Sequence, residues 1–172
     1  MKKTLVDSGP LVAFFSTKDR HHAWAFDQLN ALAPPLLTCE PVLTEACFLL
    51  ARNGGCPTVI LRALREGIIQ IAFDMETESA ALESLMERYA DTPMSLADAC
   101  LVRLSELHND CRIFTLDSDF NRYRRHGRQV IPLLAPWGRR VGRRKTSASG
   151  LGRMPRIPAS AARIAPSPPP RK

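Results

Sequence analysis

Five short apolar segments divide the first 137 residues: TLV at 4–6, LLTC at 36–39, IIQIAF at 68–73, RIFTL at 112–116 and QVIPLL at 129–134. They are continuous runs, not alternating ones. A strand with one wet face alternates apolar and polar side chains, whereas a continuous run marks a strand covered on both faces. Helix-length stretches lie between them, over about 9–16, 21–33, 41–53, 57–65, 76–90 and 95–108. Pro34 and Pro35 end the second stretch, Pro41 suits the first turn of the third, and Gly54 and Gly67 stop the third and fourth. Buried strands alternating with helices predict an α/β fold, a parallel-sheet three-layer α/β/α sandwich. No internal repeat interrupts the pattern, and one domain is expected over 1–137.

Charge separates this domain from the C-terminal segment. Residues 139–172 hold ten of the 24 Lys and Arg and none of the 17 Asp and Glu, which leaves 14 bases against 17 acids in 1–138. The net charge of +7 is therefore a property of the tail. The tail also carries six of the 14 prolines and no aromatic residue. Such a segment cannot bury enough apolar surface to offset its ordering entropy, so 138–172 is expected to be a disordered, basic, Pro-rich extension. Its charge suits a nucleic acid or another anionic surface, or simply solvation.

The cysteines are Cys39, Cys47, Cys56, Cys100 and Cys111, an odd number with no CxxC pair. This argues against a disulfide framework and a zinc site, and fits a reducing cytoplasm. Lys2 and Lys3 precede an apolar stretch, but Asp7 interrupts it after three residues, so no signal peptide is expected. No apolar run reaches the roughly 18 residues of a membrane span, so no membrane partner is expected.

Against this apolar framework, several acids stand in awkward places. Asp7 ends the first strand, Glu45 lies inside PVLTEACFLLA, Asp98 opens ADACLVRL, and Asp117 and Asp119 follow IFTL. Carboxylates beside core segments cost several kcal/mol unless paired, hydrogen-bonded or bound to a cation. No Lys or Arg neighbours them as an evident buried partner. In open parallel sheets ligands sit outside the carboxyl ends of the strands, and both Asp7 and Asp117 follow strands. Glu45 has Val42, Ala46 and Leu49 as its helical neighbours, which puts it either on the sheet-packing face or at the edge of that stripe, reaching for water. Ser95 and Asp98 have the spacing of a capping box, a role compatible with facing the crevice. Asp119 is either the cap of a following short helix or a further ligand. Thr115 is placed to orient a neighbouring carboxylate. Arg122, Arg124, Arg125 and Arg128 surround Tyr123; they suit a phosphodiester lying across an acidic pocket, or a solvated basic face.

An all-carboxylate pocket selects Mg²⁺, with Mn²⁺ as the alternative, over zinc, and such an ion stabilises charge on a phosphoryl group. Other chemistries lack their residues. There is no GxxxxGK[ST] loop and no GxGxxG after a strand, and Asp7-Ser8-Gly9 lacks the second aspartate of an aspartyl phosphatase. His21, His22, His108 and His126 have no metal-ligand spacing, and Ser8, Ser95 and Ser118 have no partnered His.

Four strings, LVDSGPLVAFF, TCEPVLTEACFLL, YADTPMSLADACLVRLSE and IFTLDSDFNRYR, occur in that order over 1–137. Together they resemble the PIN-domain ribonucleases, most closely the VapC-type toxins of bacterial toxin–antitoxin pairs. The last string is similar to the family's closing T-x-D-x-D-F element. The resemblance implies that Asp7, Glu45, Asp98 and Asp117 bind metal and act in catalysis, with Asp119 as a fifth ligand. It implies a Mg²⁺- or Mn²⁺-dependent endoribonuclease, often a homodimer, inhibited by a cognate antitoxin protein. The basic tail has no counterpart in the family pattern. Two other functions remain in view: a non-catalytic RNA-binding or regulatory module of the same fold, and a metal-dependent hydrolase of small phosphate esters.

Overall fold

In the computed structural model, which describes residues 2–137, the apolar runs at 4–6, 36–39 and 112–116 become largely buried strands, whereas Gln70, Gln129 and Val130 of the other two runs are exposed. The chain runs β1 (Lys3–Val6), α1 (Ser8–Phe15), α2 (His22–Ala31), β2 (Leu36–Thr38), α3 (Glu40–Arg52), α4 (Thr58–Arg65) and β3 (Ile69–Ile71). It continues through α5 (Ser79–Arg88), α6 (Leu96–Leu107), β4 (Cys111–Phe114), a 3-10 turn (Ser118–Asn121), β5 (Arg124–Arg125), β6 (Gln129–Val130) and β7 (Leu133–Leu134). Five strands form one sheet in the order β3-β2-β1-β4-β7, and every pairing in it is parallel. The six helices flank this sheet, as the alternation of elements predicts. β1 is the middle strand. It pairs with β2 at Leu5↔Leu37 and with β4 from Lys3↔Cys111 to Val6↔Phe114.

Leu5, Val6, Ile113 and Phe114 of the two central strands have no exposed surface, and neither have Leu101 and Leu104 of α6 above them. Each such side chain contributes about 1.5–3 kcal/mol through burial. α6 buries most of its residues, which explains why its sequence is apolar almost all round. Gly54 and Gly67 follow α3 and α4 with φ of 75° and 71°, left-handed positions that stop a helix without a Cβ penalty. Cys39, Cys100 and Cys111 are buried, and all five cysteines are free thiols.

Two expectations about elements need correction. Residues 129–134 are not one strand. Gln129 and Val130 pair antiparallel with Arg125 and Arg124 in a small hairpin, and only Leu133 and Leu134 join the main sheet. Pro132, which has no N–H to give a ladder, lies between them and accepts from the Ile113 N–H through its carbonyl (2.9 Å). The fifth helix begins at Ser79, not near 76, because Asp74 holds the preceding turn by accepting from the Glu76 and Thr77 N–H groups. The expected disordered tail, 138–172, lies outside the described residues.

Candidate active site

The site grows from the carboxyl ends of β1 and β4. β1 stops at Val6, and the next residue, Asp7, is the N-cap of α1: its Oδ1 accepts from the Ser8 N–H at 2.7 Å. The Val6↔Phe114 register sets Asp7 beside Thr115, the first residue after β4, and the Asp7 N–H donates to the Phe114 carbonyl. The buried Thr115 hydroxyl donates to Asp7 Oδ2 at 2.7 Å and accepts from the Asp117 N–H at 2.9 Å. One hydroxyl thus ties together the acids of two adjacent strands. The sequence predicts that Thr115 orients a neighbouring carboxylate; the one it orients lies 108 positions away along the chain.

Glu45 and Asp98 arrive from α3 and α6. Asp98 is buried and completes the predicted capping box, accepting from the Ser95 N–H at 2.9 Å while its own N–H donates to Ser95 Oγ at 3.1 Å. Glu45 is exposed, so it belongs to the edge of the apolar stripe and not to the sheet-packing face. Its carboxylate nonetheless turns inward, where Oε2 accepts from Ser8 Oγ at 3.1 Å. Ser8 Oγ also stands 3.4 Å from Asp7 Oδ1, so this hydroxyl spans two acids. Sequence reasoning misses Ser8 as a site residue; its signal is its place directly after a strand-end aspartate at a helix start.

The acids repel one another. Burial, with the Asp98 and Glu45 charges added, pushes the Asp7 carboxyl up to about 7, against the opposing hydrogen bonds from Thr115 and Ser8. Burial also raises Asp98, helped by Asp117 and Glu45 and opposed by Ser95. Among the described residues, none of these four acids has a Lys, Arg or His ion-pair partner. The two buried carboxylates, with Glu45 and Asp117 beside them, form a negative centre without a basic counterpart among the described residues. No three of them stand as a ready-made metal-ligand cluster among the described residues. The donor chemistry still fits a hard divalent cation, since every side-chain atom offered is an oxygen and the charge lacks a basic counterpart.

Asp119 stands apart. Asp117, not Asp119, caps the 3-10 turn, accepting from the Asp119 N–H at 2.8 Å, and the Asp119 carboxylate lies 3.9 Å from Arg122 Nη1. Tyr123 is fully buried, packs edge-on against Tyr89 and Phe120, and donates to the Pro93 carbonyl. Its phenol is pushed up by burial and by the Asp98, Asp119 and Asp117 charges, so it backs the acidic centre. Two of the four arginines point inward. Arg124 Nη1 donates to the carbonyls of Asn121, Arg122 and Tyr123, and Arg125 Nη1 donates to those of Ser105 and Asn109. The Trp137 indole N–H donates to the carbonyl of Leu116, the residue between Thr115 and Asp117, at 3.2 Å.

Comparison with known proteins identifies the family and the fold. The PIN domain family model matches residues 4–126. Ribonuclease VapC26 of Mycobacterium tuberculosis is 26% identical over 131 residues, covering 75% of this chain and 93% of that protein. The crystal structure of Mycobacterium tuberculosis VapC20, a sarcin-ricin loop cleaving toxin, shares the fold with a TM-score of 0.65 at 17% identity, covering 76% of this chain and 100% of that one. No helix among the described residues is long and apolar enough to cross a membrane. The stretch from 4 to 126 contains Asp7, Glu45, Asp98 and Asp117, and the chain belongs to the PIN domain family, with VapC-type ribonucleases among its relatives.

Proposed function

We propose that this chain is an endoribonuclease of the VapC toxin type, hydrolysing RNA phosphodiester bonds with Mg²⁺ or Mn²⁺ held by Asp7, Glu45, Asp98 and Asp117. The observation that carries the reading is the set of four carboxylates, Asp7 and Asp117 after two adjacent parallel strands and Glu45 and Asp98 from α3 and α6, that have no ion-pair partner among the described residues. A bound divalent cation would offset their charge and stabilise the negative charge that builds on the phosphoryl oxygens.

The chain's own residues prepare that centre. Thr115 and the Ser8 N–H hold both oxygens of Asp7 in place and favour its anion, the form a cation needs. Ser95 fixes Asp98, and Thr115 fixes the start of the loop that carries Asp117. Either Glu45, which reaches solvent and accepts from Ser8 Oγ, or the half-buried Asp117 would accept a proton from water at the site. Asp119, beside Arg122 at the margin, serves as an outer contact or fifth ligand. A cognate antitoxin bearing a basic segment would suit the same uncompensated charge, and a homodimer is the assembly expected by the family resemblance.

The full chain, purified free of any partner, should cleave labelled RNA in Mg²⁺ or Mn²⁺ and not in EDTA, and Asp7→Asn and Asp98→Asn should abolish turnover. Cleavage in EDTA, or full activity in both variants, would refute the reading.

A further inference from the structure

The arginine cluster after Asp117 divides into two functional halves. Arg124 and Arg125 are half-buried and commit their guanidinium groups to backbone carbonyls. Arg125 even leaves its Nε buried without a partner, so it cannot turn outward to a ligand without breaking the hairpin's seat on the end of α6. Arg103 is held between Glu78 and Glu106. These three cations belong to the fold.

Arg122, Arg128 and Arg88 do not. All three are exposed, and Arg88 and Arg128 make no ion pair among the described residues. The sole ion-pair contact of Arg122 among the described residues, to Asp119, is 3.9 Å long, beyond hydrogen-bond range. A rigid support carries them. The Arg124 N–H donates to Tyr89 Oη, and the buried Tyr123 anchors the same segment to the Pro93 carbonyl. His126 and Gly127, at φ 50° and 75°, make the tight turn that precedes Arg128. Arg88, in the last turn of α5, lies over that turn, its Nη1 3.6 Å from where a Cβ on Gly127 would sit. Arg122 thus follows the 3-10 turn beside Asp119, and Arg128 and Arg88 stand farther on, at the hairpin tip that rests against the C-terminal end of α6. Glu106, which touches the tip, is occupied by the His126 N–H and Arg103.

We propose that Arg122, Arg128 and Arg88 form a phosphate-binding track that holds the RNA backbone on the Asp119 side of the acidic site. This rests on the nuclease reading and names the residues that position its substrate. The body carries more acids than bases, so a polyanion approaching four carboxylates needs cations that are free to meet it. Backbone contacts of this kind position a strand without reading its sequence.

The test uses the full chain and a fluorescently labelled single-stranded oligoribonucleotide, with binding measured by anisotropy in EDTA across a salt series. Arg122→Gln, Arg128→Gln and Arg88→Gln should each reduce the slope of log affinity against log salt by about 0.7, and the triple variant by about 2. In Mg²⁺ the triple variant should raise KM several-fold and leave kcat within about twofold. Arg65→Gln, an exposed arginine on α4 at the other edge of the sheet, should change neither. Unchanged slopes in the triple variant, or an equal effect of Arg65→Gln, overturn the track. If the wild type binds RNA with these slopes yet cleaves none in metal, the nuclease reading falls and the track stands.

Discussion

Asp7→Asn should make the metal-free protein more stable at neutral pH while destroying its activity. The folded carboxyl is pushed up to about 7 from an ordinary 3.8. A raised acid binds its proton more tightly in the folded state, so the folded state loses stability as pH rises from about 4 to about 7 and the loss levels off above that. Three units at about 1.36 kcal/mol each set an upper bound of about 4 kcal/mol on this loss. Asp98 shifts the same way and the two acids interact, so the loss belongs to the pair and removing one charge eases the other. Asparagine keeps the size of the side chain and an oxygen for the Ser8 N–H, and sheds the charge. Urea unfolding in EDTA at pH 4.5 and pH 8 measures the effect: the wild type should weaken by about 2–4 kcal/mol between them and Asp7→Asn by much less. Saturating Mg²⁺ at pH 8 should restore the wild type, by about 2.7 kcal/mol at a hundred times Kd, and should do little for the variant. A wild type whose stability is flat over this range, or a variant weaker than the wild type at pH 8, would refute the account of Asp7 as a strained buried anion.

Other perturbations have separable outcomes. Thr115→Val keeps the shape but removes the donor to Asp7 and the acceptor for the Asp117 N–H, so it should cost about 1–3 kcal/mol and move the acidic limb of the pH–rate profile upward; an unmoved limb would mean that Thr115 does not tune Asp7. Ser95→Ala breaks the capping box and should cost about 0.5–2 kcal/mol by thermal melt, with a larger fall in activity than in stability because Asp98 loses its anchor, and Ser95→Thr should recover both. Deleting 139–172 removes ten cations and should lower RNA affinity and flatten its salt dependence; an identical slope would mean that the tail touches no phosphate.

Much of this architecture is legible in the residues because a parallel strand has little freedom. Strands covered on both faces must be apolar throughout, so TLV and RIFTL announce themselves, and an aspartate directly after each can only stand at a strand end. The capping box at Ser95 and Asp98 is equally local. Less is visible where the deciding contact joins distant segments or where an element is too short to carry a period. β6 and β7 have two residues each, and only the partner strands tell them apart. The inward face of Glu45 depends on a serine 37 positions earlier, and the uses of Arg124 and Arg125 depend on carbonyls that no pattern of side chains reveals.

The pairing of β1 with β4 also sets a timetable. Synthesis delivers Asp7 first, then Glu45, then Asp98, and last Thr115 with Asp117. At roughly 5–20 residues per second, the growing chain carries its first acid for several seconds or more before the hydroxyl that steadies it exists. Until Cys111–Phe114 is made, one edge of the middle strand is bare and Asp7 has no partner across the sheet. A polypeptide interrupted between Asp98 and residue 111 therefore holds three of the four acids without the frame that gathers them.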